Sequence, residues 1–142
     1  MHKLTAKERI KNTLSYKIGL ELINTDKTLK EKNTLVKFTL GGGAYLSLLY
    51  KLYHIKQQHY KELKLYKQIS KIFPELQRAK LESLSDYHEA VICQFHLAYL
   101  LGQAFIKADK TWYKGGYLKL FEYIKEAKLI HKNFLHLKDT IQ

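Results

Sequence analysis

Cys93 and His96 stand three positions apart, and His54 with His59 and His131 with His136 stand five apart. Such spacings could begin a metal site. Three or four converging ligands are needed, however, and the sequence has neither a second cysteine nor an H-E-x-x-H. These residues are therefore expected to be structural or solvated, with no cofactor. Asp86-Tyr87-His88-Glu89 places an acid, a phenol and a base in succession, but consecutive helical residues point in different directions. Acids in a first helical turn, with Ser83 or Ser85 as cap, are the plainer expectation. Gly41-Gly42-Gly43 and Gly115-Gly116 each precede an expected helix and could cradle a phosphate on free N–H groups. No Gly-Lys-Ser/Thr follows either of them, so flexible helix starts are expected. Asp26-Lys27-Thr28 and Asp109-Lys110-Thr111 could bind sugar or phosphate; as turns they would satisfy the last carbonyls of a helix, the reading preferred here. No constellation resembles an active site, and no catalytic residue is assigned.

Charge offers more. Lys and Arg number 25 against 13 Asp and Glu, a net charge of +12 that draws in the phosphates of lipid or nucleic acid. Lys56, Lys64, Lys67 and Lys71 share an edge of one long helix, where Tyr53 and Tyr60 join them. Trp112 and Tyr113 lie beside Lys110 and Lys114, with Lys119 following. Aromatics among cations suit anionic headgroups, stacked bases, or simply a solvated face. Arginine is scarce (Arg9 and Arg78), which argues against nucleic acid, because the guanidinium fork is the better reader of base and phosphate.

The elements that must carry these residues read as helices. There is a single proline, Pro74, and the chain is rich in Leu, Lys, Tyr, Glu and Ile. Thr5-Ala6-Lys7-Glu8 has the form of a capping box, opening a helix from about Ala6 to Asn24 with Ile10, Leu14, Ile18 and Leu22 on one stripe. A polar connection is expected over 25–34, then either a short apolar helical turn or a strand at Leu35 to Leu40. A long helix follows from near Ala44 to Ile72, with Tyr45, Leu48, Leu52, Ile55, Leu63, Tyr66, Ile69 and Phe73 on its apolar face. A third helix should reach about Lys107, and a fourth should run from Tyr117 to about Leu137 with Leu120, Ile124, Ala127 and Ile130 facing inward.

The segment from Leu14 to Thr28 aligns without a gap on that from Leu97 to Thr111: Leu, Tyr, Gly, Ile and a closing Asp-Lys-Thr coincide. Each copy then reaches a glycine run and a Tyr-Leu-x-Leu start, at Tyr45 and at Tyr117. The expected fold is all-α, one domain over 1–142 made of two helix–linker–helix repeats (about 5–72 and 84–138) in a pseudo-symmetric four-helix assembly. Gly19 and Gly102 fall mid-helix, where glycine costs about 1 kcal/mol relative to alanine. Close helix–helix packing is the expected compensation. One cysteine, a polar start and no apolar run near the roughly 18 residues of a spanning helix lead to an expected cytoplasmic location, with rest on a membrane surface allowed.

The wording of two stretches, from Glu8-Arg9-Ile10-Lys11-Asn12-Thr13 to Gly19 and from Ala108-Asp109-Lys110-Thr111-Trp112-Tyr113 to Tyr117, resembles the C-terminal region of Campylobacter-type sugar transferases. These include sialyltransferases and other enzymes that build lipooligosaccharide and capsule. The similarity spans about Glu8 to Phe134. That region follows the catalytic domain, so the resemblance implies an accessory module that carries no transferase chemistry, since the nucleotide-sugar fold and its catalytic residues are missing here. The expected role is attachment at the inner face of the membrane, self-association, or both. Lys56, Lys64, Lys67, Lys71, Trp112, Lys114 and Lys119 would contact the anionic surface or a glycosyltransferase catalytic domain. A basic nucleic-acid-binding protein is the alternative.

Overall fold

The computed structural model describes residues 3–31 and 34–141; Lys32 and Asn33 of the expected polar connection lie outside it, as do the side chains of Leu29 and of 31–46, Tyr45 among them. The described chain is all-helical: α1 (Ala6–Lys11), α2 (Leu14–Glu31), α3 (Thr34–Ile72), α4 (Tyr87–Cys93), α5 (Leu97–Lys110) and α6 (Leu120–Ile141), with short 3-10 turns at Pro74–Leu76, Leu81–Ser83 and Trp112–Lys114. No strand occurs among the described residues.

Both halves of the capping box at Thr5 and Glu8 form, starting α1. The helix expected to continue to Asn24 stops instead at Lys11, because Thr13 serves two helices. Its hydroxyl donates to the Ile10 carbonyl (2.7 Å), closing α1, and accepts from the Tyr16 amide (3.3 Å), opening α2. The expected third helix is likewise two, α4 and α5, meeting at a 61° bend. Neither Ser83 nor Ser85 caps α4; Asp86 occupies the N-cap position and makes no capping bond to its own helix. Its carboxylate reaches across to the start of α1, accepting from the Ala6 and Lys7 amides at 2.8 and 2.9 Å.

Three further expectations are corrected. Of the two conformations left open for Leu35 to Leu40 the helical one is found; Gly41-Gly42-Gly43 lie with it inside α3, so the glycines neither break the chain nor precede a helix. Glycine weakens a helix but keeps its N–H, unlike proline, and propensity yields to the continuous helical run around it. Asp26-Lys27-Thr28 is not a turn; it continues α2, with Thr28 donating back to the Asn24 carbonyl (2.9 Å) and Asp26 pairing with Lys30 (2.6 Å). The last helix begins at Leu120, leaving Tyr117 in the preceding loop.

α5 is the centre of the molecule, with Ala98, Leu101, Gly102, Ala104 and Ala108 buried along it. It crosses α2 antiparallel, backbone on backbone. A Cβ built at Gly19 would run into the backbone of Ala98, and one at Gly102 into that of Ser15. The contact is reciprocal between aligned positions, since Ser15 aligns with Ala98 and Gly19 with Gly102. Alongside it α1 packs on α4, α3 on α2 and α6 on α5. Ala6, Ile10, Tyr16, Ala90, Cys93 and Ala98 form one core cluster. Leu101, Ala104 and Ala127 form a second, flanked by Leu22, Leu100, Tyr123 and Ile124.

Candidate interaction surface

The link from α5 to α6 is a compact loop. Thr111 closes α5 by donating its hydroxyl to the Lys107 carbonyl (2.8 Å), and its own carbonyl accepts from the Gly116 amide (2.9 Å). Gly115 takes the left-handed conformation (φ 77°), which glycine adopts without steric cost, and reverses the chain. Gly116 is packed so tightly against Ala108 and Thr111 that a Cβ would not fit. Both glycines thus shape a turn, and here no helix follows directly to form a phosphate cradle.

Tyr117 folds back from this loop. Its hydroxyl donates to one carboxylate oxygen of Asp109 (2.6 Å) while the Lys56 ammonium donates to the other (2.6 Å), joining loop, α5 and α3. Burial and the Asp109 acceptor push the Tyr117 phenol up to about 12. The Asp109 hydrogen bond raises the Lys56 ammonium against its partial burial. Burial opposes ionisation of Asp109, yet the bonds from Lys56 and Tyr117 hold its carboxyl below the usual range. Lys56 is therefore not on a free cationic edge with Lys64, Lys67 and Lys71. Its charge is matched inside a junction beside a cleft of about 200 Å³ lined by Leu52, Tyr53, Tyr60 and Phe105.

The Tyr117 hydroxyl is tied to Asp109, although its ring stays partly exposed; Trp112, Tyr113 and Leu118 of the loop and Phe121 at the start of α6 are more open. Trp112 is 68% exposed, Leu118 89% and Phe121 69%, with Tyr113 similarly open. Trp112 and Tyr113 meet edge to face at 6.3 Å between centroids. Two cations stand on these rings: the Lys114 ammonium lies 5.6 Å from the Tyr113 centroid and that of Lys125 lies 5.0 Å from Phe121, while Lys110 and Lys119, near in sequence, are exposed. Exposed aromatic and aliphatic side chains interspersed with lysines suit an anionic, partly apolar surface.

The family model for a domain of unknown function, DUF8374, matches residues 1–136. The chain belongs to this family. No curated protein and no solved structure shows a significant match.

Elsewhere on this DUF8374 chain, Lys64, Lys67 and Lys71 are exposed along one side of the distal half of α3, about 12 to 22 Å along the helix axis from Lys56. They form a group separate from Trp112, Lys114 and Lys119. Leu63, Ile69 and Phe73, expected on the buried face of that helix, are exposed as well, since α2 accompanies only the earlier part of α3. Ile130 of α6, expected to face inward, is 39% exposed. Cys93 is buried and free, and His96 Nδ1 shares a hydrogen bond with the Tyr16 hydroxyl (2.9 Å). His131 Nδ1 bonds to the Phe95 carbonyl (2.8 Å). Among the described residues no three of His, Cys, Asp or Glu converge on one point. Also among them, no single helix is long and apolar enough to cross a membrane; the bent pair α4–α5 passes that test by composition, and its apolar side chains include the buried ones at the molecular centre.

Leu118 and Phe121 were not singled out by sequence reasoning. Leu118 is hidden there in a Tyr-Leu-x-Leu motif that reads as a helix start. Phe121 does leave a signal: it falls off the Leu120, Ile124, Ala127 stripe and onto the side carrying Lys125 and Lys128.

Proposed function

We propose that this chain is a non-catalytic helical module that rests on an anionic membrane surface through the loop between α5 and α6, serving a glycosyltransferase of bacterial surface glycans. The observation that carries the membrane part is the exposure of Trp112, Tyr113, Leu118 and Phe121 within one short stretch of chain, with the Lys114 and Lys125 ammonium groups on two of the rings. Four large apolar side chains left exposed gain nothing from burial in the isolated chain. At a headgroup boundary the apolar groups enter the acyl layer while Lys110, Lys114 and Lys119 meet phosphate. The glycosyltransferase part rests on the sequence resemblance, and the inner face of the membrane is the location that goes with it.

The test is co-sedimentation of the chain with phosphatidylcholine vesicles and with vesicles containing phosphatidylglycerol. Binding is expected to anionic vesicles only, and Trp112→Ala combined with Leu118→Ser should abolish most of it while leaving the circular dichroism spectrum unchanged. Equal binding to both vesicle types, or to neither, overturns the membrane reading. Tight binding of a lipid-free oligonucleotide with a steep salt dependence would transfer the charge to a nucleic-acid role.

A further inference from the structure

α6 runs back antiparallel to α5. The Lys107 ammonium stands 4.3 Å from the Tyr123 centroid near the connecting loop, and at the other end His131 bonds to the Phe95 carbonyl and Phe134 stacks on Phe95 (4.8 Å, 10°). Along this seam the helices meet over the small side chains of Ala104 and Ala127, beside an open groove of about 450 Å³ that runs past the Lys107–Tyr123 contact to Lys110 and Thr111. Its polarity is graded along its length. Leu100 and Ile130 bound the end far from the loop; Lys107, Lys110 and Thr111 bound the loop end, next to Trp112. On α5 the lining from Leu100 to Thr111 spans about 16 Å at helical rise. The acid on the rim is Glu126, on α6.

We propose that this groove binds one anionic amphiphile, its alkyl chain over Ala104 and Ala127 toward Leu100 and Ile130, and its phosphate head at Lys107 and Lys110. Three observations converge on that occupant. The floor, Ala104 and Ala127 between Leu100 and Ile130, is apolar, which fits an alkyl chain. Cations stand at one end alone, which fixes the direction of a molecule having one charged end. That end opens beside the loop proposed to contact headgroups, so a lipid reaches the groove without crossing the rest of the surface. The inference deepens the membrane reading by adding a defined lipid site to general surface attraction.

Dodecyl phosphate, titrated into the full chain below its micelle concentration, should bind saturably at one molecule per chain and shift the fluorescence of Trp112, the one tryptophan. Amide resonances of Ala104 and Ala127 should move, and those of the distal part of α3 should not. Hexyl phosphate should bind about tenfold more weakly or worse, because each methylene left out forfeits buried area, and inorganic phosphate should not compete. Ile130→Asp should weaken dodecyl phosphate by about tenfold. Lys107→Gln with Lys110→Gln should reduce it to the level of dodecylphosphocholine. Equal affinity for hexyl and dodecyl phosphate, or wild-type amide shifts confined to other surfaces, would overturn the site even if Ile130→Asp fails to fold. A substitution in the groove that changes the oligomeric state and leaves amphiphile binding intact would also overturn it, marking the groove as a contact between copies. Vesicle binding separates the two readings. Leu118→Ser should weaken vesicle binding and keep dodecyl phosphate; sedimentation with anionic vesicles but no response to dodecyl phosphate would sink the groove and leave the surface standing.

Discussion

A methyl group at Gly19 would have to occupy the space of the Ala98 backbone, and one at Gly102 that of Ser15. Neither obstacle is a side chain that can swing away. Gly19→Ala should therefore destabilise the chain by about 1–3 kcal/mol net, despite the helix propensity alanine gains, as read from urea denaturation midpoints. The double substitution should cost less than the sum of the singles, because α2 and α5 need to separate only once. Tyr117 gives a second prediction at this scale. Its phenol titrates at about 12, so the neutral form is favoured by folding; its contribution is complete below the ordinary tyrosine value near 10 and is lost as pH rises from there through 12. In an ultraviolet titration Tyr117 should ionise late, as should Tyr16, which burial also raises, and Asp109→Asn should bring Tyr117 alone back toward the others.

Among the elements, α1 is six residues long and would not persist alone. Its start is held by the Thr5–Glu8 box and by the Asp86 carboxylate from the other half of the chain, with Lys7 paired to Glu89 on α4 alongside. Bonds from the Lys7 and Ala6 amides hold the Asp86 carboxyl below its usual range. That contribution is present above the unfolded aspartate value and is lost as pH falls through the folded one. Asp86→Ala should accelerate amide hydrogen exchange at Ala6 and Lys7 while leaving the centre of α5 protected. At the neighbouring junction, burial and then Lys11, His131 and Lys138 lower the His96 imidazole. Its contribution is full above the ordinary histidine value and is lost as pH falls through the depressed one. His96→Gln should flatten the decline of the thermal midpoint over that range.

For the whole molecule, a net charge of +12 acts over a Debye length of about 10 Å at 0.1 M salt. Attachment to anionic vesicles should weaken as salt is raised, and Lys114→Ala with Lys119→Ala should cost about 1 kcal/mol per lysine. A fraction of the binding should survive high salt and disappear with Trp112→Ala and Leu118→Ser, because apolar burial is not screened. Sedimentation across a salt series with these two variant pairs separates the contributions.

The helical class, the cap at Thr5, the aligned segments and the two packing glycines were legible in the sequence, because each rests on neighbours within a turn or two or on a residue whose local cost calls for compensation. Helix boundaries were less so. The Asn12-Thr13 break depends on one hydroxyl bonding in both directions, and Gly41-Gly42-Gly43 lie in a helix although propensity argues for a break. What no local pattern carries is pairing across the chain. Asp86 looks like a cap for the helix that follows it and serves one that lies 80 residues earlier; Lys56 looks like part of a free cationic stripe and is matched by Asp109. Periodicity states which side of a helix is apolar, but only the packed helices decide how much of that side is covered. Their arrangement exposes Leu118 and Phe121 as well as Trp112 and opens a groove over Ala104 and Ala127.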